Sequence, residues 1–202
     1  MSDVCVVHKV GPGWYHETAI DKRPVDGPVR VTEVGVDGDR QIDRSHGGVD
    51  AAVYVYAAED AEHFAALLGR DLPAGTFGEN LRTTGLDVTG ARLGERWQIG
   101  DVLLEVRKPR TPCLNLSQRI GVEGFHLEFN SSGRVGAMCA ILATGEIAAG
   151  DDIQVVHRPD HPVTVGSYAV GIAPQDAAAL LESGESLPRS VREKAKRATR
   201  RR

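Results

Sequence analysis

The sequence contains few cysteines, three in 202 residues, and no two of them lie close together. An odd number of widely spaced cysteines argues against a disulfide framework and against a paired-cysteine zinc site. Cys5 and Cys139 lie in apolar, strand-like runs, so we expect them to be buried core residues. Cys113 lies outside any such run and is treated separately below.

Long apolar runs are also missing. No stretch approaches the roughly 20 residues that a bilayer crossing needs, and the first residues show no basic segment followed by a cleavage site. We therefore expect a cytoplasmic protein with no membrane partner. The composition, 41% hydrophobic and 26% charged residues, is typical of a globular protein of ordinary size.

Positive charge is scarce outside one end of the chain. Residues 189–202 hold eight Lys or Arg and one Glu, a formal charge of +7, and the whole chain carries −4, which leaves −11 for the remaining residues. An acidic body argues against a nucleic-acid partner. The basic tail is typical of a solvated, charged helix. The glycine-rich motifs GxxxxGK[ST] and GxGxxG are absent too, so nucleotide binding is unsupported.

Short alternating or β-branched runs, separated by Gly, Pro and Asp, dominate the chain. They predict strands at 4–10, 29–36, 51–56, 96–100, 102–108, 136–143 and 152–157. Many short strands with Gly-rich turns indicate a mostly β barrel or sandwich.

Helical patterns are few and fall at 59–68, 174–181 and 188–198, with a short helical turn at 114–119. Two prolines between His157 and Pro162 indicate a linker. We therefore predict a β-rich domain over residues 1–157 and a small helical appendage over 163–202.

Two polar segments contain glycines beside functional side chains. Residues 38–41, GDRQ, precede His46-Gly47-Gly48. Paired glycines let backbone N–H groups approach an anionic ligand, although a tight turn with an exposed histidine explains the segment equally well. Residues 75–81, GTFGENL, place Glu79 and Asn80 beside two glycines. Taken alone, this second segment is weak evidence for a site.

The third segment is PRTPC at residues 109–113, directly after a predicted strand. Its two prolines stiffen the chain, so Arg110 and Cys113 have little conformational freedom. A guanidinium beside a thiol favours the thiolate, which is the form that binds metals or attacks substrates. Thiolate is a soft ligand that suits higher transition metals. Cys113 is therefore a functional candidate.

The sequence lacks the residue patterns that zinc sites and cysteine hydrolases usually show. Zinc requires three or four clustered His or Cys ligands, whereas the seven histidines are scattered along the chain. A cysteine hydrolase with Cys113 as nucleophile and His46 or His126 as base stays open, without a local signature to support it.

Taken together, these segments resemble the MOSC domain, named for the C-terminal domain of molybdenum cofactor sulfurase. The similarity is greatest to the stand-alone bacterial branch, which carries a small three-helix C-terminal appendage. Five blocks occur here in the family's order: GDRQID…HGGVDAAVYVY (38–56), GTFGENL (75–81), LGERWQIGDVLLEV (93–106), PRTPC (109–113) and GEIAAGDDI (145–153).

The resemblance implies a twisted, mostly antiparallel β-barrel with few helices. It also implies a molybdenum-pterin cofactor whose metal is bound by the cysteine of the PRxPC block, here Cys113. Members of this branch reduce N-hydroxylated compounds, including hydroxylaminopurines. The chain has no flavin, haem or iron–sulfur motif, so this activity needs a separate electron-donor reductase, a flavin or iron–sulfur protein.

Roles for other residues follow as hypotheses from their chemistry. A guanidinium group can form a bidentate pair of hydrogen bonds with phosphate. Arg40, Arg110 and Arg134 are therefore candidates to bind the cofactor phosphate. Gly47 and Gly48 are candidates to bring backbone N–H groups to the same phosphate, and Asn80 or Asn115 is a candidate to hydrogen-bond the pterin edges. His46 or Glu79 is the candidate relay for the proton that the departing oxygen needs. The full cofactor-binding set is Asp39, Arg40, His46, Gly47, Gly48, Asn80, Arg110, Thr111, Asn115 and Arg134.

The chain departs from the family pattern at two places. The family often has an aromatic residue directly after the cysteine and further aromatics after a GRxG segment, whereas this chain has Leu114 and Ala137-Met138. Both changes remove stacking surface near the site, so we expect a different substrate choice. A non-redox carrier of cofactor or sulfur, with a persulfide on Cys113, is the main alternative to a reductase.

Overall fold

Eleven β-strands and six α-helices are found in the computed structural model, which describes residues 1–42 and 47–200. None of the helices in this part of the chain is long and apolar enough to span a bilayer. The strands are β1 (Asp3–Pro12), β2 (Glu17–Pro24), β3 (Val29–Thr32), β4 (Gly35–Val36), β5 (Val53–Ala57), β6 (Leu81–Thr83), β7 (Arg96–Ile99), β8 (Val102–Pro109), β9 (Ala137–Ala143), β10 (Gly145–Ile147) and β11 (Gln154–His157).

Eight strands form one sheet in the order β11-β7-β8-β9-β5-β6-β1-β2, and β10-β3-β4 form a second, smaller sheet. The expected barrel is wrong, because in the described residues no pairing joins the edge strands β11 and β2 and the large sheet is open. The expectation of mostly antiparallel pairing agrees with the structure, since all strand pairs but one in the described residues are antiparallel. The pair β5 and β6 is parallel, because the connection between them contains a helix that carries the chain back to the same end of the sheet.

The helices are α1 (Ala58–Leu68), α2 (Leu114–Ile120), α3 (Phe125–Ser131), α4 (Val165–Val170), α5 (Pro174–Glu182) and α6 (Arg189–Thr199). Four of them, α1, α2, α5 and α6, confirm the helical segments predicted from sequence. The other two make the described chain more helical than expected. Both α3 and α4 span two turns or fewer, which is too short for hydrophobic periodicity to reveal.

Aromatic rings pack α1 and α3 onto the large sheet. Phe64 of α1 lies 5.2 Å from Phe129 of α3, measured between ring centroids. Tyr56 of β5 stacks on Phe129 at 5.8 Å and lies 4.5 Å from Phe77. All four residues are fully buried. This cluster fixes the position of residues 77–80 behind the cavity described below.

The segment before α4 is bonded to the loop that precedes β7. Leu93 N–H donates to the Val163 carbonyl at 3.3 Å, and Val165 N–H donates to the Ala91 carbonyl at 2.8 Å. Arg158 Nε donates to the fully buried carboxylate of Glu95 at 2.8 Å. The helical C-terminal region therefore shares backbone and core contacts with the large sheet.

His161 lies inside this junction and is 1% exposed. Its Nδ1 accepts from Val163 N–H at 3.2 Å, and its Nε2 lies 2.7 Å from the Leu93 carbonyl. A carbonyl only accepts, so Nε2 carries the proton and the ring is neutral. Burial lowers the pKa of His161, against the opposing effects of the Leu93 carbonyl and Glu185.

We therefore predict that His161 makes the free energy of unfolding pH-dependent. Because the folded pKa lies below the unfolded value of about 6.5, its stabilising contribution is complete above that pH and is lost as the pH falls towards the folded pKa. Between about pH 7.5 and about pH 5, wild type should lose more stability than His161→Gln in urea titrations. The exposed His8→Gln is the matched control, and an equal loss in wild type and His161→Gln would refute the assignment.

Candidate functional site

A cavity of about 680 Å³ opens beside the large sheet, between the β1–β2 hairpin and the segment that joins β8 to α2. Strand β5 and the residues before β6 form its floor. It is lined by Trp14, Tyr15, His16, Glu17, Thr18, Ala19, Ile20, Lys22, Arg40, Gln41, Ile42, Ala51, Tyr54, Phe77, Gly78, Asn80, Lys108, Arg110, Thr111, Cys113, Leu114, Asn115 and Met138.

The lining includes six residues that the sequence proposed for the site: Arg40, Asn80, Arg110, Thr111, Cys113 and Asn115. They come from three separate segments of the chain. The fold therefore brings half of the twelve candidate residues into one cavity.

Cys113 is the half-buried thiol of this cavity. Strand β8 ends at Pro109, and α2 starts directly after Cys113, whose backbone is extended. The two other cysteines differ, since both are fully buried. Burial raises the pKa of the Cys5 thiol to about 12 and also raises the pKa of Cys139. Cys5 and Cys139 are thus protonated core residues, as the sequence predicted.

Four cationic side chains line the cavity, against Glu17 as the single carboxylate in the described lining. The cations are Lys22, Arg40, Lys108 and Arg110. Like charges gathered in one concave surface create a positive potential, which favours an anionic ligand. The cavity is therefore cationic although the body of the chain is acidic.

Lys22 lies at the floor and is 8% exposed. Its Nζ donates to Asp39 Oδ2 at 2.7 Å, and Asn80 Nδ2 donates to the same oxygen at 2.8 Å. Burial lowers the pKa of Lys22, while the neighbouring Asp39 carboxylate opposes that change. The other carboxylate oxygen, Asp39 Oδ1, is buried and has no hydrogen-bond partner within the described residues. Asp39, predicted as a cofactor contact, thus positions Lys22 and Asn80.

Arg110 reaches the cavity over the ring of Tyr54, with 5.6 Å between its guanidinium carbon and the ring centroid. Its backbone N–H donates to the Gly136 carbonyl at 3.1 Å, which ties the residue to the start of β9. Its Nη1 is buried and has no hydrogen-bond partner in residues 1–42 and 47–200. A buried guanidinium nitrogen with unused donors is suited to a phosphate or carboxylate.

Glu79 does not line the cavity. Its buried carboxylate accepts from the backbone N–H groups of Gly75 and Phe77 at 2.8 and 3.0 Å and forms an ion pair with Arg82. Arg82 Nε donates to it at 2.8 Å. These bonds occupy the carboxylate and hold the GTFGENL segment in shape, so this geometry favours a positioning role over the predicted proton relay.

The remaining candidates do not line the cavity or lie outside the described residues. Arg134 Nη1 donates to Asp60 Oδ1 at 2.6 Å, away from the cavity. A β-carbon added at Gly47 would collide with the Gln41 side chain, and Gly48 precedes a 3-10 turn with a φ of 93°. His46 lies outside the described residues, so its predicted role stays a prediction.

Sequence reasoning missed Lys22, Lys108 and the tip of the β1–β2 hairpin. Lys22 lies on β2, which was not predicted as a strand, because half of its residues are charged and its apolar residues do not alternate. The hairpin tip carries no local motif, and its place at the cavity depends on long-range contacts.

Comparison with known proteins gives three curated relatives. The uncharacterized protein YflK of Bacillus subtilis is 32% identical over 150 residues, 74% of this chain and 68% of YflK. Protein YiiM of Escherichia coli is 32% identical over 149 residues, 70% of this chain and 65% of YiiM. A protein of Gibberella moniliformis named "Reductase" is 35% identical over 149 residues, but the match covers only 26% of that longer protein.

Solved structures share the whole fold. The crystal structure of YiiM from Geobacillus stearothermophilus superposes with a TM-score of 0.79 over 97% of this chain and 96% of that chain, at 24% identity. The E. coli YiiM structure gives a TM-score of 0.75 over 96% of this chain and 89% of that chain, at 25% identity. The coverage includes the C-terminal helices, so the predicted helical C-terminal region is confirmed. Residues 43–154, more than half of the sequence, match the MOSC domain, and the chain belongs to the MOSC domain family.

Proposed function

We propose that the chain binds a molybdenum-pterin cofactor in this cavity and uses it to reduce N-hydroxylated compounds such as hydroxylaminopurines. One observation carries the proposal. A single cavity joins the Cys113 thiol to four cationic side chains, and one of those, Arg110, has a buried nitrogen without a hydrogen-bond partner in the described chain.

The residues that line the cavity match the phosphate and the metal of such a cofactor. The cavity volume of about 680 Å³ is of the size that small-molecule sites have in proteins. Lys108 and Arg110, separated by Pro109, precede Cys113 in the chain and line the same cavity, so they place positive charge in the cavity that contains the thiol. A cofactor with an anionic phosphate and a thiolate-binding metal matches both features.

Cys113 would supply the protein's ligand to the metal. The two prolines of PRTPC hold the segment extended between β8 and α2, so the thiol is presented with little loss of conformational entropy. Arg110, Lys108 and Arg40 would hold the phosphate. Asn80 would shape the floor without contacting the ligand, because its amide already bonds Tyr54 and Asp39.

The bound cofactor would supply two electrons which, together with two protons taken up from the protein and solvent, would replace the N–O bond of the substrate by an N–H bond while the oxygen leaves as water. The electrons would come from a separate flavin or iron–sulfur reductase. Lys22 Nζ holds a proton at the cavity floor. Because burial lowers the pKa of Lys22, this ammonium gives up its proton more readily than an exposed lysine does.

The comparisons support the proposal at a coarser level. Membership of the MOSC family is consistent with molybdenum-cofactor-associated function. One relative is named a reductase, although this chain matches only 26% of it. A carrier that bears a persulfide on Cys113 uses the same cavity, and turnover separates it from the reductase.

The test is reduction of 6-hydroxylaminopurine with reduced methyl viologen as electron donor. We expect activity in protein from a host that makes the pterin cofactor and none in protein from a host that lacks it. Cys113→Ala should lose activity, because the metal loses its protein ligand. Cys139→Ala, a buried cysteine outside the cavity, is the matched control and should stay active.

Two results would contradict the reductase. Activity that persists without the pterin cofactor would favour a metal-free cysteine enzyme. Bound cofactor without turnover, for this substrate and for other N-hydroxylated compounds, would favour the carrier.

A second prediction concerns Arg110. Removing a charged hydrogen-bond donor to phosphate costs about 1.5–3 kcal/mol, so Arg110→Met should weaken cofactor affinity about 10- to 100-fold. Arg110→Lys should lie between wild type and Arg110→Met, since lysine keeps the charge but loses the fork of donors. The measurement is pterin and molybdenum bound per protein after dilution and gel filtration. Arg30→Met, an exposed arginine of β3, is the control, and equal losses in both variants would exclude the assigned role.

A further inference from the structure

The chain contains ten aromatic residues, all within its described part, and they are distributed unevenly. Only Trp14 and Tyr15 are exposed, at 57% and 76%, and they are neighbours at the mouth of the cavity. An exposed aromatic residue is common on protein surfaces, but a pair confined to the mouth of a ligand cavity points to a contact. The buried eight are Tyr54, Tyr56, Phe64, Phe77, Trp97, Phe125, Phe129 and Tyr168.

The hairpin tip that carries this pair is held by hydrogen bonds. Gly13 N–H donates to the His16 carbonyl at 2.7 Å and closes the turn. Trp14 N–H donates to Asn115 Oδ1 at 2.7 Å, across 101 residues of sequence. Asn115 lies in the first turn of α2, two positions after Cys113. The tip is therefore fixed to the same segment that presents the thiol.

Packing at Gly13 shows how closely the tip approaches α2. A β-carbon at this position would lie 2.5 Å from the His16 carbonyl oxygen and 2.8 Å from Asn115 Oδ1. Only glycine fits there without displacing the backbone. Below the tip, Arg119 of α2 forms a second tie, a 2.8 Å ion pair with Asp21 of β2. The aromatic pair therefore has a defined place relative to α2.

Cavity chemistry changes from floor to mouth. Lys22, Asn80 and the Arg110 guanidinium make the inner part cationic and hydrogen-bonding, whereas Trp14 and Tyr15 make the mouth aromatic. An anionic cofactor suits the inner part. A flat, uncharged ring suits the mouth, because aromatic faces stack on the π-faces of nucleobases without needing a particular pattern of hydrogen bonds.

We propose that Trp14 and Tyr15 form the substrate platform of this enzyme and select planar, heteroaromatic N-hydroxylated compounds over aliphatic ones. This inference rests on the proposed reductase function and assigns the residues that select the substrate of that site. The hairpin tip would supply the stacking surface that Leu114 and Ala137-Met138 do not provide. Both residues act by orienting the ring and take no part in bond breaking.

The kinetic test compares a planar substrate, 6-hydroxylaminopurine, with a small non-aromatic one, N-hydroxyurea. Loss of stacking weakens binding of one base about 5- to 150-fold. Trp14→Ala should therefore raise KM for the purine by about tenfold or more. Its KM for N-hydroxyurea should stay within about twofold, and kcat should change little for both substrates. Trp14→Phe should recover most of the loss, because phenylalanine keeps a stacking face.

Leu127→Ala is the control, since Leu127 is also an exposed apolar residue, 66% exposed, but does not line the cavity. Equal effects of Trp14→Ala on both substrates would overturn the proposal, as would no effect on either.

A binding measurement separates this inference from the proposed function. The chain has two tryptophans, and Trp97 is fully buried with its Nε1 donating to Glu95 at 2.9 Å. Adenine, the product of purine reduction, should therefore quench Trp14 fluorescence, and the quenching should vanish in Trp14→Phe. Quenching without any turnover would leave the platform standing and refute the reductase. Turnover of the purine without Trp14-dependent quenching would refute the platform.

Discussion

The side-chain amide of Asn80 joins the segments that form the cavity floor. Its Oδ1 accepts from Tyr54 N–H on β5 at 3.0 Å, and its Nδ2 donates to Asp39, which in turn binds Lys22. A buried amide has to satisfy both its donor and its acceptor. The segments that contain Asp39, Tyr54 and Asn80 therefore keep one relative position. The Tyr54 ring then supports the Arg110 guanidinium. The position of the inner cations thus depends on this one amide.

The cavity concentrates positive charge, whereas negative charges are in excess over residues 1–188 as a whole. Removing Lys22 from water is costly, and its ion pair with Asp39 offsets that cost only in part, as the lowered pKa of Lys22 shows. Arg110 likewise keeps a buried nitrogen without a hydrogen-bond partner in the described residues. Groups that cost stability in the absence of a ligand are typical of binding sites, because a bound anion compensates them. The floor is therefore organised for an anion, and the aromatic mouth for a flat ring.

Local patterns predicted the local features of this protein and little of what depends on distant contacts. The two prolines before Cys113 distinguished it from the core cysteines, and four helices were predicted from local signals, of which only the helix at 59–68 rested on apolar spacing. Sheet closure and the parallel β5–β6 pair depend on which strands meet, which no local pattern encodes. The proton-relay role of Glu79 stays a prediction, although its buried carboxylate is bonded to Gly75, Phe77 and Arg82. Lys22 was missed because its strand is rich in charged residues.

The central claim is that Cys113 binds the metal of a pterin cofactor in this cavity. The most direct measurement is X-ray absorption at the molybdenum edge of wild type and Cys113→Ser, both from a cofactor-replete host. The account predicts that wild type has one sulfur neighbour beyond those of the pterin dithiolene, and that the serine variant loses this sulfur or the metal itself. Identical sulfur coordination in the two proteins, or wild type without molybdenum, would contradict the account.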